Sequence, residues 1–78
     1  MSAAEAQEVK NLLLQRDDQF RQLVEQHHQL DNRLHELTTR HYLSDSEQLE
    51  EVTLKKRKLA LKDQMELIVR QFTQARVS

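Results

Sequence analysis

Apolar residues recur along this chain in alternating steps of three and four, which is the pattern of a helix with one apolar face. In the first half the pattern runs from Ala6 to Leu37. The spacing predicts one helix over residues 3–41 and a second helix over residues 45–75. Residues 42–44 are left between them as a turn.

Both predicted helix starts carry a capping signal. Ser2 precedes Glu5 by three residues, and Ser44 precedes Glu47 by the same interval. In this arrangement the serine hydroxyl accepts a hydrogen bond from a backbone N–H one turn on. The acidic residue lies in the first turn, where the helix dipole favours negative charge.

Two long helices joined by so short a turn must fold back on each other. The predicted fold is therefore all-α, an antiparallel two-helix hairpin with coiled-coil-like packing. The chain has no glycine for a left-handed helix end, so His41 or Tyr42 is predicted to adopt an awkward backbone conformation. The predicted hairpin seam consists of Leu13, Phe20, Leu23, His27, Leu30, Leu34, Leu37, Leu54, Leu61, Met65, Ile68 and Phe72.

The register of the hairpin follows if the turn is centred on Ser44. Lys58 occupies a seam position, Asp31 then lies near Lys55 or Lys58, and Glu50 lies near Arg40. A single polar pair in an apolar seam specifies register in coiled coils. Asp31 and Lys58 are therefore predicted to set the register of this hairpin.

Several apolar residues lie off the predicted seam. They are Leu12, Leu14, Val24, Leu49, Val52, Leu59, Leu67 and Val69. A two-helix hairpin has no interior that would bury them, and a second hairpin would supply one. This favours a homodimer that forms a four-helix bundle, with a monomeric hairpin awaiting a different protein partner as the alternative.

Composition excludes several classes of function. The 78 residues include no glycine, proline or cysteine, which disfavours sheets and phosphate-binding loops and excludes disulfides, zinc–thiolate sites and thiol nucleophiles. No nucleophile–base arrangement is evident, and two extended helices offer no pocket that perturbs a catalytic pKa. We therefore expect no catalytic residues, no cofactor and no small-molecule substrate.

The beginning of the sequence and its hydropathy bear on location. The first ten residues lack the basic and apolar regions of a signal peptide. No apolar stretch approaches the about 20 residues of a membrane-spanning helix. These features predict a cytoplasmic protein without membrane contact.

A basic stretch over residues 55–62 is the first candidate for a binding site. It contains Lys55, Lys56, Arg57, Lys58 and Lys62. Such residues contact nucleic-acid phosphates, but consecutive helical residues point around the helix at about 100° steps, and no aromatic side chain is interleaved to stack on bases. With 12 basic and 13 acidic residues, the whole chain has no net basic field. Nucleic-acid binding is thus the weaker reading, and a solvated face with ion pairs the stronger one.

The four histidines are the second candidate. They are His27, His28, His35 and His41. No two of them stand four residues apart, so a closed metal site would need ligands from a second chain. We expect no metal site. Packed or surface histidines are the more economical reading.

Two sequence blocks carry a resemblance to a known family. The first block consists of Phe20, Leu23, His27, Leu30, Asp31 and Leu34. The second block, residues 54–65, reads LKKRKLALKDQM and is similar to the signature L-K-K-x-K-L-x-L-K-D-E-[IM], with Gln64 in place of the usual glutamate. Over residues 19–72 the chain resembles the YdcH-like family of small bacterial proteins. The resemblance implies a helical hairpin and leaves the activity open, because the family has no established one.

These features favour a small, non-enzymatic, self-associating protein–protein interaction module. Its possible partner surface comprises Leu49, Val52, Leu59, Lys55, Lys56, Arg57 and Lys62. The alternative is an accessory protein that contacts nucleic acid through residues 55–62.

Overall fold

The described residues form three helices. The computed structural model describes the backbone of residues 2–77 and the side chains of residues 2–75. The helices are α1 (Ala3–Arg16), α2 (Asp18–Thr38) and α3 (Asp45–Val77), and the described residues contain no strand. The all-α class is confirmed. The single helix predicted over residues 3–41 is wrong, because it is divided into two.

The division lies at Asp17, whose backbone is extended, with φ −114° and ψ 107°. Its N–H still donates to the carbonyl of Leu13 at 2.8 Å, so it closes α1. Its carboxylate accepts from the N–H of Phe20 at 3.0 Å, so the same residue caps the start of α2. Aspartate suits this position because its side chain replaces a hydrogen-bond partner that the first turn of a helix lacks.

Replacing Asp17 by alanine is expected to lower the free energy of unfolding by about 1 kcal/mol, because the N–H of Phe20 loses its acceptor. Urea unfolding followed by circular dichroism measures this change. Asp18→Ala is the matched control, since the Asp18 carboxylate pairs only with exposed Arg21 and such pairs contribute little. Equal stability of the two variants would contradict the capping role.

α1 folds back onto the far end of the α2–α3 pair. Val9 and Leu13 of α1 are buried in one cluster with Phe20 of α2 and Val69 of α3. The longest dimension of the molecule is 51 Å. The 33 residues of α3 alone account for about 50 Å at 1.5 Å per residue. α1 therefore lies alongside the other helices and does not extend beyond them.

A second apolar cluster lies near the turn between α2 and α3. Leu34 and Leu37 pack there with Leu54, and Leu30 and Leu43 lie against them. Because residue 37 meets residue 54 while residue 20 meets residue 69, α2 and α3 run antiparallel. The two clusters lie at opposite ends of this pair.

The turn spans residues 39–44 and is longer than predicted. No residue between positions 2 and 77 has a positive φ, so the prediction of an awkward conformation at His41 or Tyr42 is wrong. The longer turn gives the chain enough residues to reverse direction within the ordinary regions of backbone space.

Side-chain hydroxyls replace a glycine cap at the end of α2. Thr38 Oγ1 donates to the carbonyl of His35 at 3.1 Å, and Thr39 Oγ1 donates to the carbonyl of Glu36 at 2.9 Å. Both carbonyls belong to the last turn of the helix, and that of His35 also accepts from the backbone N–H of Thr39 at 3.1 Å. The helix is thus closed without a left-handed residue.

α3 begins at the predicted capping box. The N–H of Glu47 donates to Ser44 Oγ at 3.2 Å, and the N–H of Ser44 donates to the Glu47 carboxylate at 3.1 Å. At the start of α1, Ser2 Oγ accepts from the N–H of Glu5 at 3.2 Å. Both serines therefore lie where the capping signals place them.

Candidate interaction surface

The residues of the predicted hairpin seam differ in how deeply they are buried. All twelve predicted seam residues are buried or half-buried. The buried ones are Leu13, Phe20, Leu23, Leu34, Leu37 and Leu54, and the half-buried ones are His27, Leu30, Leu61, Met65, Ile68 and Phe72. Leu13 joins this core from α1, which the pattern did not separate from α2.

α1 covers part of the apolar surface that the heptad pattern places off the seam. Val69 is only 6% exposed, and Leu14 and Val24 are half-buried against the same cluster. The expectation that such residues need a second hairpin is therefore wrong for these three. Val69 is buried in a cluster that all three helices form, and Val24 of α2 and Leu14 of α1 itself pack against that cluster.

Four large apolar side chains of α3 remain exposed. Leu49 is 68% exposed, Val52 50%, Leu59 59% and Leu67 50%. At about 100° per residue, these four point roughly opposite to Leu54 and the other seam residues of α3. We call this set the outer strip. Three of its members belong to the predicted partner surface, and Leu67 extends that surface towards the C-terminus.

The polar seam pair is present. Lys58 Nζ forms an ion pair with the Asp31 carboxylate, and Lys58 is half-buried while Asp31 is exposed. The hydrogen bond from Lys58, together with its positive charge, holds the pKa of Asp31 below the ordinary value for aspartate. This pair links the middle of α2 to the middle of α3.

Arg33 forms the most extensive ion-pair network between α2 and α3. Its Nη2 and Nε donate to the two carboxylate oxygens of Glu50 at 2.8 and 3.1 Å, and its Nη1 donates to Glu36 at 3.0 Å. The hydrogen-bonded partner of Glu50 is Arg33, and Arg40 pairs with Glu47, but Glu50 lies close enough to Arg40 for the charge of Arg40 to help lower its pKa. The six-residue turn, twice the predicted length, accompanies this change of partners.

Hydrogen bonds at this network lower two carboxylate pKa values. The guanidinium of Arg33 lowers the pKa of Glu50, and the pKa of Arg33 is raised in turn. The N–H of Ser44, followed by its hydroxyl, lowers the pKa of Glu47. In each case the hydrogen bond favours the charged form of the group.

These lowered pKa values predict acid-labile stability. Unfolded glutamate has a pKa of about 4.3, so the stabilisation by Glu50 is fully present above that value and is lost as pH falls through the lower folded pKa. The melting temperature is therefore expected to fall between about pH 5 and pH 3. Above about pH 5 the melting temperature of Glu50→Gln is expected to be lower than that of the wild type. It is also expected to decrease less as the pH is lowered.

Thermal melts by circular dichroism at a series of pH values test this expectation. Glu8→Gln is the control, because exposed Glu8 forms no ion pair with any described residue. A Glu50→Gln melting temperature that falls with pH as steeply as that of the wild type would contradict the assignment.

The basic stretch does not form one cationic face. Lys55 pairs with Glu51 at 2.7 Å, and Lys58 pairs with Asp31. Among its other members, Lys56, Arg57 and Lys62 are exposed and point in different directions around α3. The arrangement disperses positive charge and leaves Lys56 alongside the outer strip.

The histidines are not gathered into a site. His27 is half-buried in the seam, whereas His28, His35 and His41 are exposed. Within the described residues, no group of three His, Cys, Asp or Glu side chains is placed to hold a metal ion. Over the same part of the chain, no helix is both long enough and apolar enough to cross a membrane.

A groove lies on one side of the α2–α3 pair. It encloses about 330 Å³ and is lined by Gln26, Gln29, Leu30, Arg57, Ala60 and Leu61. Neutral amides and one arginine provide its polar groups, so it lacks the paired titratable groups of a catalytic centre. The outer strip, by contrast, exposes four large apolar side chains on one face of α3.

Comparison with known proteins gives a family and no further relative. The model of a family of proteins of unknown function, DUF465, matches residues 20–69, which is more than half of the chain. This range contains most of α2, the turn and α3 up to Val69, and it excludes α1. The match is consistent with the resemblance to the YdcH-like proteins. No curated protein and no solved structure matches the chain. The chain therefore belongs to the DUF465 family, whose function is unknown.

Proposed function

We propose that this protein is a non-enzymatic helical interaction module that self-associates through the outer strip of α3. The observation that carries the proposal is the exposure of Leu49, Val52, Leu59 and Leu67 on one face of one helix. Large apolar residues that are exposed on one face among charged residues are typical of protein–protein contact sites.

The fold gives these residues no other role. The seam of α3 faces α2, and α1 covers the apolar surface around Val24 and Val69. The outer strip thus contributes nothing to the internal packing of a single chain. Burying a side chain such as Leu59 between two chains would remove apolar area from water at about 25 cal/mol per Å².

Replacing Leu59 by glutamate is expected to convert the assembly into monomers. Two carboxylates would then enter the apolar interface of each dimer, and the dissociation constant is expected to rise by about 100-fold. Light scattering over a concentration series measures the mass. The wild type is expected to approach twice the mass of one chain as the concentration rises.

Gln64→Glu is the matched control for this experiment. Gln64 is exposed on the same helix, about 100° away from the centre of the outer strip, and its substitution adds the same charge. The control is expected to associate like the wild type. A wild-type monomer at every concentration, or an unchanged mass for Leu59→Glu, would overturn the proposal.

A further inference from the structure

The residues along the exposed face of α3 are ordered symmetrically about one point. The point lies midway between Leu59 and Ala60. On either side, residues at equal distance from it are complementary in character. The pairs are Leu59 with Ala60, Lys56 with Asp63, Val52 with Leu67 and Leu49 with Arg70.

We propose that two copies of this chain pair α3 to α3 in antiparallel orientation, about a two-fold axis through the point between Leu59 and Ala60. The inference rests on the proposed self-association and specifies its geometry. A two-fold axis brings residues at equal distance from it face to face, and each contact then occurs twice. Lys56 of one protomer thereby meets Asp63 of the partner subunit, and its own Asp63 meets Lys56 of the partner subunit.

The charges on this face distinguish the two possible orientations. Lys56 and Asp63 are both exposed, and neither forms an ion pair with any side chain among residues 2–75. In a parallel, in-register pair each would face its own copy, and like charges at a helix interface are destabilising. In the antiparallel pair both charges find an opposite charge.

The apolar and long side chains agree with the same orientation. Val52 and Leu67 are each 50% exposed, and the antiparallel pair places one against the other at both ends of the contact. Arg70 then lies over Leu49, where its methylene stem covers the leucine while the guanidinium stays in water. Near the axis the small side chain of Ala60 lets the two helices approach closely.

The dimensions of the face indicate reversible association. Leu49 and Arg70 are about 32 Å apart along α3 at 1.5 Å per residue. Contact along one helix of this length is at the small end of specific interfaces, so we expect a dissociation constant on the order of micromolar. The concentration series must therefore extend well above this value.

Single cysteines test the orientation directly, because the natural chain contains none. In the proposed dimer the positions of the two copies of residue 60 are offset by about 1.5 Å along the direction of the helices. The two copies of residue 56 are offset by about 10 Å in the same direction. Disulfides form between Cα atoms less than about 7 Å apart. Ala60→Cys is therefore expected to cross-link on mild oxidation and Lys56→Cys is not. Gln64→Cys, away from the strip, measures cross-linking by random collision.

The outcomes separate this geometry from self-association itself. Cross-linking of Ala60→Cys well above both other variants supports the antiparallel pair. Cross-linking of Lys56→Cys as readily as Ala60→Cys overturns it in favour of a parallel dimer. If neither variant cross-links above the level of Gln64→Cys while the wild type is dimeric, the antiparallel pairing is overturned and self-association stands. A monomeric wild type overturns both.

Charge exchange gives an independent readout in solution. Lys56→Asp and Asp63→Lys are each expected to weaken the dimer by about tenfold, because each turns two attractive pairs into two repulsive ones. The double exchange is expected to restore wild-type affinity in sedimentation equilibrium, since each introduced carboxylate would again meet an introduced ammonium group across the two-fold axis. Failure of the double variant to recover, with both single variants weakened, would overturn the antiparallel pairing.

Discussion

Replacing Phe20 by alanine is expected to lower the free energy of unfolding by about 3–5 kcal/mol. Phe20 of α2 is 2% exposed and packs with Val9 and Leu13 of α1 and with Val69 of α3. Removing its ring leaves a cavity where α1, α2 and α3 meet. A chain of this size has a stability of only about 5 kcal/mol, so the variant is expected to retain about 0–2 kcal/mol and to be partly unfolded at 37 °C.

Urea and thermal unfolding at one fixed protein concentration measure this loss, since self-association would make stability depend on concentration. Phe20→Leu is the control, because it keeps most of the apolar volume and is expected to cost less than about 1.5 kcal/mol. A Phe20→Ala variant within about 1 kcal/mol of the wild type would show that α1 is not held by this cluster.

The second large effect is expected at the other end of the molecule. Leu37 is 0% exposed and packs with Leu34 and Leu54 beside the turn. Leu37→Ala is expected to lower the free energy of unfolding by about 2–5 kcal/mol, through lost apolar burial and the cavity left behind. Denaturant unfolding followed by circular dichroism measures the change.

Tyr42→Ala is the matched control for Leu37→Ala. Tyr42 lies in the same turn region but is 91% exposed, so its removal is expected to change stability by less than about 0.5 kcal/mol. Equal losses in the two variants would contradict the position of the cluster. They would indicate that the turn itself, and not the leucine packing, limits stability.

The apolar spacing was sufficient to predict the seam because helical periodicity and burial are directly linked. His27 and Lys58 occupy seam positions and are half-buried despite their polarity. The outer strip was also visible in part, since Leu49, Val52 and Leu59 fall outside the seam pattern and are exposed. These predictions depend only on the angle between successive side chains.

The break at Asp17 was missed because the apolar repeat passes through it without a change of phase. Val9 and Leu13 continue the spacing of α2 although they belong to another helix. The available signal was Arg16 at a seam position, followed by two aspartates of the kind that cap and begin helices. That signal would have divided the predicted helix at Asp17.

The partner of Glu50 was missed for a different reason. Pairing across a hairpin depends on turn length, and a turn of six residues in place of three accompanies the exchange of Arg40 for Arg33. The hydroxyls of Thr38 and Thr39 donate hydrogen bonds at the end of α2, which ends before the predicted position at residue 41. The spacing of apolar residues does not indicate such a helix end. Local hydrogen bonding thus decided a contact between helices.

The two clusters differ in how far apart their members lie along the chain. Leu37 and Leu54 are separated by only about 17 residues, whereas Val9 and Val69 are separated by about 60. Closing the shorter loop costs less entropy, so we infer that folding begins at the turn and that α1 docks last. In stopped-flow experiments Leu37→Ala should then mainly slow folding, while replacing buried side chains of α1 by alanine should mainly speed unfolding. The reverse pattern would place the nucleus at the three-helix end.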